Sequence, residues 1–270
     1  LRHRHGQRIG CALAAFLCAG GIAAHAQTPE SHPGCRLETF ATGTVKAALD
    51  GRTLLLADGR EVRLVGIEVP QAGERSASAG AQGALQAMLG DREVTLKRLG
   101  TPERDRHGRL VAYVFVSGRL HSAQEALIAA GHARVASQVG HVACAVPLLA
   151  AERSSRSGRL GLWADPYYVM RRAENPAEIL AEKGRFALVE GRVVSVRESG
   201  GTIYVNFGRR WSEDFTVTVL KRSERAFIDA GLELKKLSGR RVRVRGFIEE
   251  RGGPWIEASR PEQIEIAERN

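Results

Sequence analysis

The sequence predicts a mainly β, α+β protein made of two small β-barrel domains, each with attached helices. Three observations lead there. Short runs rich in Val, Leu and Ile are broken by Asp50-Gly51 and Asp58-Gly59, which are strong hairpin-turn signals. A second series of short strands begins near Phe186. The 270 residues, 43% hydrophobic and 26% charged, suit two modest globular domains and exclude a fibrous or wholly disordered chain.

Residues 1–26 are set apart. Three arginines precede the apolar run IGCALAAFLCAGGIAA, and Ala24-His25-Ala26 forms a small-x-small cleavage pattern before Gln27. This is the layout of a secretory signal peptide, and its core is too short and too rich in small residues for a lasting transmembrane helix. A periplasmic or secreted protein with no stable membrane anchor is expected, with a retained anchor as the alternative. Cys18 raises a lipoprotein reading, but Ala19 to Ile22 continue the apolar run and argue against it. Residues 27–39, with two prolines, read as a tether.

Strands are expected at about residues 43–49, 53–57 and 61–67, a mobile loop between Gln71 and Ala79, and a helix from Ala81 to Leu89 stopped by Gly90. Strands follow at residues 93–99 and 109–116, joined by the charged loop TPERDRHG. Helices are expected at residues 122–130 and 148–157, and Gly131 and Gly158 end them. This first domain spans residues 40–165. Residues 166–185 read as a linker, partly helical from Ala177 to Lys183. From 186 to 270 the order is strand, strand, strand, helix, strand, strand, that of an OB-like five-stranded barrel. No fixed-period repeat relates the two domains.

The chain carries 40 basic and 30 acidic residues, a net charge of +10. Loss of residues 1–26 would remove three arginines and no acid, leaving 37 minus 30, or +7. A basic protein favours polyanionic partners such as nucleic acid, although the charge also serves solubility. Cleavage would leave Cys35 and Cys144, candidates for a disulfide in an oxidising compartment; two separate thiols are the alternative. His121, His132 and His141 lack the close spacing of a zinc site. In the second domain, Arg209-Arg210-Trp211 and Arg240-Arg241-x-Arg-x-Arg245, with Tyr204, Phe207 and Trp255, mix cations and aromatics as single-strand binders do. The same alternation also fits arginines on the solvated face of an ordinary strand.

Ordered motifs then carry a family resemblance. Leu49-Asp50-Gly51-Arg52-Thr53, Val62-Arg63-Leu64 through Glu68-Val69-Pro70-Gln71, Asp105-Arg106-His107-Gly108-Arg109 and Gly161-Leu162-Trp163 resemble, in the same order, the thermonuclease (staphylococcal-nuclease-like) family. The resemblance covers about residues 40–165. It implies an OB-type barrel with helices and a Ca2+-dependent phosphodiesterase acting on DNA and RNA. Two carboxylates hold the metal in that family, a Glu handles the attacking water, and two arginines grip the phosphate. Arg63 and Arg109 match the arginines, whose planar, permanently charged forks suit phosphate oxygens. His107 lies in the turn where the family has Tyr or His and is a candidate nucleic-acid contact.

The remainder of the pattern departs. Arg52 stands where the second Asp of D-G-D-T is expected, Glu68 where a metal-binding Asp is, and Gln71 where the Glu is. Calcium takes six to eight oxygens, several of them anionic. A cation ~4 Å from a dication, at an effective dielectric of ~20, is opposed by roughly 8 kcal/mol at most. Gln71 has no carboxylate to accept a proton, and general-base catalysis contributes about 10²–10⁴-fold. Two readings follow. In the first, the protein binds nucleic acid or another polyanion with hydrolysis weak or absent, and Arg52 pairs with Glu68 in the metal's place and joins Arg63 and Arg109 in a phosphate-binding cluster. In the second it is an active Ca2+-dependent endonuclease with Glu68 still a ligand. A carbohydrate-binding envelope module is a third.

Overall fold

The computed structural model describes residues 34–70, 75–100, 104–210 and 212–267. The expected signal segment and most of the tether lie outside the described residues, as do Gln71 and Trp211. Among those described, no helix is long and apolar enough to cross a membrane.

The first unit starts with a long strand, β1 (Glu38–Asp50), which the Asp50-Gly51 turn joins to β2 (Thr53–Leu56) and the Asp58-Gly59 turn to β3 (Glu61–Leu64). Gly59 has φ +86°, the left-handed conformation that this turn requires and that other residues adopt at a cost. A short β4 (Ile67–Glu68) and helix α1 (Arg75–Leu89) precede β5 (Glu93–Arg98) and β6 (Leu110–Val116). The five main strands close into a barrel in the order β1-β2-β3-β6-β5, with β3 and β6 parallel. Alternate residues such as Val45, Leu54, Leu56, Val62, Leu64, Val94 and Leu96 fill it. Register shifts in β1 at Val45/Ala47 and Ala48/Asp50 bend that strand so that it pairs with β2 and β5 at once.

Helix α1 corrects one expectation. It starts at Arg75, within the stretch read as a mobile loop. Ala81, Leu85 and Leu89 anchor it in the core, and with that turn fixed the helix extends back over residues 75–80 by adding one hydrogen bond per residue, despite the weak helix formers Ser76, Ser78 and Gly80. Helix α2 (Ala123–Ala129) begins with a capping box, in which the Ser122 hydroxyl accepts from the Glu125 N–H and the Glu125 carboxylate from the Ser122 N–H. The two-residue strand β7 (Arg134–Val135) pairs with β4, and α3 (Val142–Ser157) follows.

Cys35 and Cys144 form a disulfide that ties the start of β1 to α3 across 109 residues. A Cys35→Ser, Cys144→Ser double variant is expected to lose about 2–4 kcal/mol of stability. Urea unfolding would measure this, and an unchanged midpoint would show that the cross-link contributes nothing.

Residues 166–185, read as a linker, contribute secondary structure to the second unit. β8 (Arg171–Arg172) adds a parallel strand beside β9 (Phe186–Arg192), and α4 (Pro176–Leu180) buries Ile179 in the second core. β10 (Ser195–Ser199), β11 (Thr202–Asn206), β12 (Thr216–Leu220), α5 (Glu224–Asp229), β13 (Arg241–Phe247), β14 (Glu249–Arg251), β15 (Gly253–Glu257) and β16 (Ile264–Ile266) complete the chain. One sheet runs β10-β11-β12-β15-β14 and the other β16-β13-β9-β8. β9 leads into β10 and β13 into β14, so the β9–β13 pairing completes an OB-type circuit around one apolar core.

Both units therefore share a plan. The first three strands form a meander, a helix precedes the fourth, and the fifth lies parallel to the third.

They are joined by buried charge. Arg245 on β13 and Glu152 on α3 are each 1% exposed and form a two-pronged pair at 3.1 and 2.9 Å. Arg245 also bonds Glu265 and the Val135 carbonyl, and Glu152 accepts from the Val135 N–H at 2.7 Å.

Candidate nucleic-acid phosphate site

The site is assembled on the first barrel from two turns and the ends of three strands. In the turn between β1 and β2, both oxygens of Asp50 are engaged locally, one accepting the Arg52 N–H at 2.7 Å and the other the Thr53 hydroxyl at 2.9 Å. This fixes the backbone at Arg52. Its side chain reaches across to β4, where Nη1 donates to Glu68 Oε2 at 3.0 Å. The pair is mostly enclosed, with side chains 20% and 11% exposed.

Arg63 lies on β3 between Thr53 on β2 and Val111 on β6. Its guanidinium is half-buried, and among the described residues it has no ion-pair partner within 4 Å. Burial lowers its pKa from the usual value, and the charges of Arg52 and Arg109 lower it further against the pull of Glu68 and Asp105. A guanidinium remains protonated even so. Burial leads this shift and the two neighbouring guanidinium groups add to it; an anion bound beside Arg63 would oppose both.

Arg109 is placed by its loop. Gly108 takes φ +78° at the turn, and Asp105 gathers the loop around itself. One carboxylate oxygen accepts the His107 and Arg109 N–H groups at 2.9 and 3.1 Å, the other the Arg109 Nε at 2.7 Å. Burial alone would raise the Asp105 pKa. The hydrogen bonds from Arg109 and His107 outweigh it and bring the value down to about 2, so this anchor is ionised at any working pH.

Arg52, Arg63, Glu68 and Asp105 share the wall of one cleft of about 680 Å³. Arg109 stands behind Asp105, close enough to act on Arg63 electrostatically. His107 is exposed and accepts from the neighbouring Arg106 Nε at 3.1 Å; it does not line the cleft. Gln71 lies outside the described residues. The cleft also holds groups that the sequence did not single out as site residues: Lys97 and Arg98 at the end of β5, and Phe247 and Arg260 from the second unit. Lys97 and Arg98 sit in ordinary strand alternation, and Phe247 and Arg260 are distant in the chain, so no local signal marked them.

Among the described residues, the donor set does not fit a calcium ion. Among the described residues no group of three or more acidic, His or Cys side chains converges. The two carboxylates nearest the expected position are engaged, Asp50 by its own turn and Glu68 by a cation. What the geometry offers is a cationic seat, in which a phosphate would meet Arg63, without an ion-pair partner among the described residues, flanked by the paired Arg52 and Arg109.

Residues 61–165 match the family model described as staphylococcal nuclease homologue, and no curated protein matches the chain. The match begins at β3, after the Asp50–Thr53 turn, and takes in Arg63, Glu68 and the Arg109 loop. Over residues 61–165, which hold β3, β5, β6, the helices behind them and both matching arginines, the chain is similar to the staphylococcal nuclease homologue family, consistent with a thermonuclease-like domain.

Proposed function

We propose that this is an exported protein that binds nucleic acid at the Arg63 seat and hydrolyses it weakly or not at all. The observation that carries this reading is the Arg52–Glu68 ion pair, a cation occupying the carboxylate on which metal ligation would depend. Arg63, without an ion-pair partner among the described residues, and the fixed Arg109 support anion binding, and the net charge, +10 for the full sequence and +7 without residues 1–26, supports attraction of a polyanion. The N-terminal segment with its cleavage pattern supports export to the periplasm or beyond.

The test pairs binding and degradation assays on the purified protein, with calcium or chelator, alongside Arg63→Ala. The expected result is DNA binding that falls steeply with salt, without robust cleavage. Arg63→Ala is expected to weaken it about 10- to 100-fold, the range for losing a charged hydrogen-bonding partner. Rapid degradation abolished by both chelator and Arg63→Ala would instead establish an active metal-dependent nuclease.

A further inference from the structure

The cleft at Arg63 does not end on the first barrel. Its far wall is formed by Phe247, the last residue of β13, and by Arg260. We propose that this cleft is a groove for single-stranded nucleic acid, in which the second barrel supplies a base-stacking platform at Phe247 and further phosphate contacts. The proposal rests on the reading of Arg63 as a phosphate site and specifies which form of nucleic acid that site takes.

Charge comes first. The cleft is lined by Arg52, Arg63, Lys97, Arg98 and Arg260 against only Glu68 and Asp105. Both carboxylates are already neutralised, Glu68 by Arg52 and Asp105 by Arg109. Among the described residues, Arg63, Lys97, Arg98 and Arg260 have no carboxylate within ion-pair distance. Lys97 and Arg98 lie over the rings of Phe115 and Phe40 at 4.6 and 5.1 Å, which fixes their stems. The cleft thus holds uncompensated cations at both walls.

The aromatic ring decides between strand types. Phe247 is 44% exposed, yet it is not loose, because it packs edge-on against Phe186 with centroids 5.7 Å apart. A fixed, exposed ring in a cationic cleft is the combination that binds single strands, by stacking an unpaired base while cations track the backbone. In a duplex the base faces are already covered by their neighbours.

The full chain would be titrated against a labelled oligothymidylate and a duplex of equal length, as wild type, Phe247→Ala, Phe247→Trp and Arg63→Ala. Phe247→Ala is expected to lower the ratio of single-strand to duplex affinity about 5- to 100-fold, the effect of losing one stacked base. Phe247→Trp is expected to keep the ratio, and Arg63→Ala to weaken both affinities together. If Phe247→Ala leaves the ratio unchanged while Arg63→Ala weakens binding, the groove is overturned and the phosphate seat stands. If neither variant alters binding, both fall. Photocrosslinking of a halogenated-uracil oligonucleotide to the wild-type chain gives a check independent of the variants' folding. A crosslink on the Phe247 peptide supports the groove, and crosslinks confined to other peptides overturn it.

Discussion

Arg245→Ala is expected to destabilise the protein by about 3–5 kcal/mol, the range for removing one partner of a buried ion pair. For a chain of this size that corresponds to a fall in melting temperature of roughly 6–20 °C. Burial by itself would discharge Arg245, but Glu152 and Glu265 more than offset it, and its pKa lies above the ordinary arginine value. With the guanidinium gone, Glu152 remains 1% exposed, facing only the Val135 N–H at 2.7 Å and the more distant Arg156 at 3.7 Å. That uncompensated charge, rather than the lost attraction, is the main source of the effect. A double variant, Arg245→Met with Glu152→Leu, is therefore expected to recover much of the stability, since apolar replacements of buried pairs are often neutral. Urea unfolding of both variants decides the matter. A single variant within 1 kcal/mol of wild type, or a double variant worse than the single, would show that the pair does not hold the two units in this way.

The same cluster shows where a sequence stops being legible. RRVRVRGF carries arginines at every second position, which fits both a solvated strand face and a single-strand binder. In the structure the arginines at positions 241, 243 and 245 are drawn into ion pairs. Arg241 and Arg243 bond Glu190 on the neighbouring strand β9, and Arg245 enters the junction with α3. Their partners are 51, 53 and 93 residues away, and nothing local announces them. Strand order, by contrast, was readable, because turn glycines and period-two alternation are local signals. The shared OB-type plan of the two barrels was readable too, through the family motifs in the first and the strand order in the second, although no sequence repeat relates them. Of the aromatics grouped with those arginines, Phe207 belongs to the second core, and Tyr204 and Trp255 meet edge-on at 6.1 Å.

The phosphate seat was legible to the extent that its motifs are short. Arg63 and Glu68 lie five residues apart on successive strands, and Asp105 and Arg109 belong to one loop, so their chain spacing sets their spatial relation. The Arg52–Glu68 contact followed from charge, because an arginine facing a carboxylate where a dication is expected has a natural partner. The second wall was not readable. Phe247 and Arg260 reach the cleft only through the packing of one unit on the other, which depends on the buried cluster at Arg245.

If the ion pair at Glu68 is what precludes a metal, changing Arg52→Asp together with Gln71→Glu should produce calcium-dependent cleavage at least about 100-fold above the parent protein. Each change removes a separate obstacle. Arg52→Asp takes away a cation opposing calcium by up to roughly 8 kcal/mol, adds a carboxylate and releases Glu68. Gln71→Glu supplies a proton acceptor, whose contribution is about 10²–10⁴-fold. The order of effects is fixed by this logic. Arg52→Asp alone is expected to bind calcium in the ~0.1–1 mM range of extracellular sites without gaining much activity. It should also become dependent on the ion for stability, because two carboxylates in the turn then face the released Glu68 on β4; calcium at about 100 times its dissociation constant would return about 2.7 kcal/mol. Gln71→Glu alone is expected to do little, since Arg52 still caps Glu68. Isothermal titration and thermal unfolding with calcium or chelator measure the binding, and DNA degradation measures the chemistry. An Arg52→Asp variant that folds but takes up no calcium at millimolar concentration would mean that the ion pair is not what closes this site to metal. Cleavage by the parent protein equal to that of the double variant would mean that the pair never closed it.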